Sequence, residues 1–114
     1  MRVLVVDDDP QMLSAVVASV EQLAGMDVLT AESAVEALGR IEVTDVDCVV
    51  SDYGMAEMTG VDLLMAVRSR FGELPFVLLT GQGNERVAAT AIRAGVTDYV
   101  TKVDGWPERL AARL

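Results

Sequence analysis

The chain has 114 residues, enough for one domain over 1–114 and no more. Hydrophobic residues make up 52% of it, ample for a packed core, and a formal net charge of −9 argues against binding nucleic acid through a basic surface. Its apolar runs are far too short to span a membrane. Met1–Val6 lacks a signal-peptide pattern and there is a single cysteine, so the cytoplasm is the expected location.

Arg2 to Val6 reads as a first strand, an apolar run that stops at Asp7-Asp8-Asp9-Pro10. At an effective dielectric near 20, two unit charges about 4 Å apart repel by roughly 4 kcal/mol. Adjacent carboxylates at a buried strand end therefore call for a cation. Pro10 to Ala24 reads as a helix with Asp9 as its N-cap, and Leu13, Val16, Val17, Val20, Leu23 and Ala24 share one face. Gly25 closes it. Met26 to Thr30 is a second strand, and Ser33-Ala34-Val35-Glu36 is a capping box opening a helix to about Ile41.

Asp47 to Ser51 is the third strand, again followed by a carboxylate, Asp52. Cys48 within it reads as a small buried hydrophobe rather than a reactive thiol. The loop Tyr53 to Met58 leads to Thr59, which caps a helix to Phe71 with Val61, Leu64, Met65 and Val67 facing inward. Leu74 to Thr80 is the fourth strand, with Pro75 at its start, where a missing N–H is tolerated. Gly81 to Asn84 is a loop whose last residue caps a helix from Glu85 to Ala94. Val96 to Thr101 is the fifth strand, and a short last helix starts at Pro107.

Strands alternating with helices predict an α/β fold, a doubly wound five-stranded parallel sheet with helices on both faces. Continuous apolar strands such as Val77-Leu78-Leu79 fit burial on both sides. Ligands of such sheets sit beyond the carboxyl ends of the strands. Asp7, Asp8, Asp52, Thr80 and Lys102, the only lysine, all fall at that rim. The carboxylates suit Mg2+, which takes oxygen ligands and phosphate oxygens. Asp52 is a candidate nucleophile toward a phosphoryl group, Lys102 supplies a point charge and Thr80 a hydroxyl. Backbone N–H groups around Gly54 to Ala56 and at Gly81 complete the cradle. There is no histidine, hence no phosphohistidine of its own.

In order and spacing, Val5-Val6-Asp7-Asp8, Ser51-Asp52, Met55 with Gly60, Leu79-Thr80-Gly81, Ala94-Gly95-Val96 with Asp98-Tyr99, and Lys102 resemble a response-regulator receiver domain, the phosphoacceptor module of two-component signalling. The resemblance covers nearly the whole chain. It implies the flavodoxin-like strand order 2-1-3-4-5, Asp52 as phosphoacceptor, Asp8 as direct Mg2+ ligand and Asp7 acting largely through water. It further implies the Gly54 carbonyl as a ligand, Lys102 on the phosphoryl group, Thr80 as switch hydroxyl and Tyr99 as the aromatic reporting the switch. Gly54 and Gln82 match positions that modulate the hydrolytic water. The implied partners are a histidine kinase or histidine phosphotransfer protein, and a downstream effector or fused output or sensor domain. No membrane or nucleic acid is implied, and a homodimer through the fourth and fifth helices stays open. Catalysis is limited to the domain's own phosphorylation and slow autodephosphorylation.

The acidic, lysine-poor composition and Leu-Thr-Gly-Gln-Gly-Asn also resemble receivers of salt-loving archaea. Three positions depart from the family pattern. Ala56 and Val103 stand where prolines are usual, and Gly81 where alanine is common. A non-proline cis bond costs roughly 2.5–4 kcal/mol, so a trans bond or a rearranged loop is expected after Lys102. Two alternatives remain. One is a degenerate receiver that binds partners without phosphorylation. The other is a phosphatase of the haloacid-dehalogenase type, suggested by Asp7-x-Asp9. Asp9 otherwise reads as a helix cap only.

Overall fold

The computed structural model describes residues 1–81 and 85–114. The Gly81–Asn84 loop and its Asn84 cap thus fall largely outside the described residues, as does Gln82. Five strands, β1 (Arg2–Val6), β2 (Asp27–Ala31), β3 (Cys48–Asp52), β4 (Phe76–Thr80) and β5 (Asp98–Thr101), form one parallel sheet in the order β2-β1-β3-β4-β5. Helices α1 (Pro10–Ser19), α2 (Ala34–Val43), α3 (Gly60–Phe71), α4 (Glu85–Arg93) and α5 (Trp106–Arg113) alternate with them.

Alternating side chains along each strand feed two separate cores, as the two-residue period of a strand requires. Leu4, Val6, Val49, Phe76 and Leu78 meet Ala37, Leu63, Leu64, Val67 and Ala91 of α2, α3 and α4. Val3, Val5, Val50, Val77, Leu79 and Val100 meet Val16, Val20 and Leu110 on the α1 and α5 side. Strand order reverses between β1 and β3, leaving a crevice above their carboxyl ends.

The expected first helix changes character partway. Its segment Val20–Ala24 is a π-helical turn, ended by Gly25 at φ +65°. The Ser19 hydroxyl donates back to the Ala15 carbonyl at 2.8 Å just before it, a bond that competes with the regular ladder. The wider turn keeps Val20 buried but leaves Leu23, expected in the core, 51% exposed. Met65 was likewise expected inward and is 56% exposed. Val61, Leu64 and Val67 are buried as expected, joined by Gly60 and Leu63, and Met65 projects beside them.

Boundaries shift by one or two residues elsewhere. β2 and β3 each begin one residue later than expected, so Asp52 is the last residue of its strand rather than the first after it. Pro75 stays outside β4 and lends only its carbonyl, to Val49 N–H at 2.9 Å.

Candidate functional site

Parallel register builds the site. Val6 lies opposite both Ala31 and Ser51, so Asp7 and Asp52 emerge side by side from neighbouring strands. Thr80 lies opposite Thr101, which sets Lys102 one residue beyond the same edge. The Lys102 N–H donates to the Thr80 carbonyl at 2.8 Å, fixing where the lysine leaves the sheet. Its ammonium forms an ion pair and hydrogen bond with Asp52 Oδ1. Asp7, Asp52 and Thr80 are buried here, together with Ser51.

Asp7 is the most strained of these charges. Burial, more than anything else, pushes its carboxyl up from 3.8 to about 6. The Asp9 N–H and Lys102 act against the shift, while Asp52 and Asp8 add to it. Asp7 Oδ1 accepts the Asp9 N–H at 2.9 Å, and its buried Oδ2 has no partner among the described residues. A buried acceptor left unmatched costs about 1–3 kcal/mol, and a cation there would remove that cost.

Asp8 is exposed and turns across the crevice. Its Oδ2 accepts the Ala56 N–H at 2.9 Å, tying the loop after β3 to the end of β1. Among the described residues no three acids form a closed metal cage. Asp7, Asp8 and Asp52 each bring carboxylate oxygens to the crevice. Gly54 adjoins them, since a Cβ there would stand 3.9 Å from Asp52 Oδ2. An all-oxygen set with few carboxylates fits Mg2+, which keeps waters and shares phosphate oxygens.

Other assignments resolve as follows. Asp9 is exposed and caps α1 through Gln11 N–H at 3.0 Å, so the Asp7-x-Asp9 pair of a dehalogenase-type phosphatase does not converge on the crevice. Among the described residues there is no cis peptide, so the Lys102–Val103 bond is trans. Tyr99 is 37% exposed, on the outer side of β5. A cavity of about 380 Å³ opens beside the site between Glu32, Val35, Glu57 and Met58, and it is lined as well by Asp8, Met55 and Ala56. Sequence reading missed the Ala56–Asp8 bond, because a backbone donor has no residue-type signal. It also missed Arg109, which reads as an ordinary surface arginine on an amphipathic helix.

The fold and site together define a doubly wound α/β protein with an acidic pocket at its switch point. Residues 3–114 match the family model described as the response regulator receiver domain. The chain belongs to that family, the receiver domains of two-component signalling, and is a signalling module. It is 38% identical over 105 residues to the chemotaxis protein CheY1 of Helicobacter pylori, covering 90% of this chain and 85% of that one. It is 34% identical over 101 residues to the C4-dicarboxylate transport transcriptional regulatory protein DctD of Pseudomonas aeruginosa, covering 89% of this chain but only 22% of that protein. A response regulator receiver domain protein from Clostridium thermocellum superposes with a TM-score of 0.88 at 28% identity, covering 98% of this chain and 89% of that one. A CheY-like receiver from Methanospirillum hungatei gives 0.86 at 26% identity, covering 98% and 88%. Among the described residues no helix is long and apolar enough to cross a membrane.

Proposed function

We propose that Asp52 is the phosphoacceptor, taking PO3 from the phosphohistidine of a histidine kinase or histidine phosphotransfer protein. An Asp52 carboxylate oxygen attacks phosphorus in line, the P–N bond breaks, and the imidazole nitrogen keeps the electron pair. Lys102 stabilises the charge that builds on the transferring oxygens, and Thr80 offers its hydroxyl to the phosphoryl group once attached. Asp7, Asp8, Asp52 and the Gly54 carbonyl would hold Mg2+. The ion, when bound, would neutralise the carboxylates and the incoming phosphate. Tyr99 then carries the change to a partner surface, for an effector or a fused output or sensor domain. Water slowly releases the phosphate again. This activity would take place in the cytoplasm.

The observation that supports this most is the Asp52–Lys102 ion pair at the buried rim. Residues fifty positions apart, at the ends of different strands, bring opposite charges together at the rim where ligands of such sheets bind. The test is intact-mass analysis after acetyl phosphate with Mg2+. One phosphoryl adduct is expected on the wild type and none on Asp52→Asn. An adduct persisting on Asp52→Asn would rule Asp52 out. A wild type that never gains one would favour the degenerate, binding-only receiver.

A further inference from the structure

The loop after β5 must hold Lys102 still, yet Val103 leaves the backbone φ free where a proline ring would fix it. One side chain takes up the task. Arg109 Nη2 donates to the carbonyls of Thr101 and Val103, both at 3.1 Å, and Nη1 donates to the Asp104 carbonyl at 2.8 Å. The first two carbonyls flank Lys102 on either side. Arg109 stands on α5, whose Leu110 is fully buried in the core below. The guanidinium therefore fastens the lysine loop to a rigid helix. Gly105 leaves the space: its φ is +83°, and a Cβ there would stand 3.1 Å from Arg109 Nη1.

We propose that Arg109 is a positioning residue for phosphoryl transfer, holding Lys102 in place by clamping the carbonyls of Thr101, Val103 and Asp104. This rests on the reading of Lys102 as the group that meets the phosphoryl oxygens. A flat guanidinium matches several fixed acceptors at once, and a lysine ammonium at this position does not. The molecule supplies its own control. Arg68 makes a similar clamp on the carbonyls of Gly95, Gly72 and Leu74. Those carbonyls precede β4 and β5, at the amino ends of the strands, away from Asp52 at the carboxyl end of β3.

Two readouts test the proposal. The first is the rate of phosphorylation by acetyl phosphate with Mg2+, set beside the thermal midpoint. Arg109→Ala is expected to lose about ten- to a hundredfold in rate, with partial recovery on adding methylguanidinium. Arg109→Lys, which keeps the charge without the fork, stays slow and guards against misfolding of the alanine variant. Arg68→Ala is expected to melt earlier at an unchanged rate. The second readout is the NMR resonance of the Lys102 ammonium in the unphosphorylated protein, expected to move in both Arg109 variants and not in Arg68→Ala. An Arg109→Ala rate within about twofold of wild type, or an unmoved Lys102 resonance, would overturn the proposal. A wild type that accepts no phosphoryl group would sink the functional reading instead, and the Lys102 resonance would still decide the role of Arg109.

Discussion

Burial pushes up the carboxyl of Asp7, and the sign of its effect on stability follows from that environment. Its carboxyl is held at about 6 in the folded protein against 3.8 when unburied. Between those values the folded state binds the extra proton, so stability falls as pH rises through this window and stays lower above it. Asp7→Asn is therefore expected to raise the thermal midpoint at neutral pH and to flatten the decline between about pH 4 and 6. Mg2+ should stabilise the wild type at neutral pH and much less near pH 5, where the proton occupies the same oxygens. Thermal scans across pH with and without Mg2+ check both. Cys48 gives a second residue-scale expectation. It is 6% exposed, and burial, with help from Asp47, pushes its thiol up to about 11. Reaction with a disulfide reagent is expected only after unfolding, since the thiolate is the reactive form.

At the scale of elements, the start of α3 is where fold and site share atoms. Thr59 and Asp62 cap it reciprocally, with bonds of 3.1 and 3.0 Å. Loss of that cap in Thr59→Ala should cost about 1 kcal/mol by denaturant titration. Gly60 is far less forgiving. A Cβ there would overlap the Asp52 carbonyl oxygen and stand 2.6 Å from Leu78 Cδ1. The Leu78 methyl can shift, but the Asp52 carbonyl is strand backbone and cannot retreat. Gly60→Ala is expected to destabilise by about 1–3 kcal/mol and to disturb phosphorylation, because the crowded carbonyl belongs to the proposed acceptor. Most of this was legible in the sequence. Thr59 and Asp9 hold as caps and Ser33 accepts the Glu36 N–H as expected, because capping depends on residues a few positions apart. The expected Ser33 box closes on that side only, since the Glu36 carboxylate accepts the Glu32 N–H instead of that of Ser33. The π turn after Ser19 was not legible, since the same apolar spacing fits a continued α-helix.

For the whole molecule, charge is the dominant unbalanced quantity. With a net charge of −9, the chain carries far more acids than its nine cations can meet. Three of those cations, Arg2, Arg68 and Arg109, are engaged with carbonyls rather than carboxylates. Among the described residues the exposed ion pairs are Arg40–Glu36, Arg70–Glu42 and Arg113–Asp98, each worth about 0–1 kcal/mol. Self-repulsion should therefore be relieved by screening, which shortens to roughly 3 Å at 1 M salt. The thermal midpoint is expected to rise by a few degrees between low and molar NaCl. A midpoint that falls with salt would show that the attractive pairs outweigh the repulsion.

The amino-acid sequence alone determined the alternation of strands and helices, the two-faced burial of the sheet and the identity of the acids, hydroxyl and lysine at its rim. Those follow from local periodicity and from where apolar runs stop. Which oxygens face the crevice was decided only by tertiary structure. Asp8 turns to the Ala56 N–H, Asp7 keeps one oxygen unmatched, and Arg109 reaches back over the lysine loop. Directions such as these depend on parallel register and on backbone partners contributed by other elements, and neither leaves a mark in residue type.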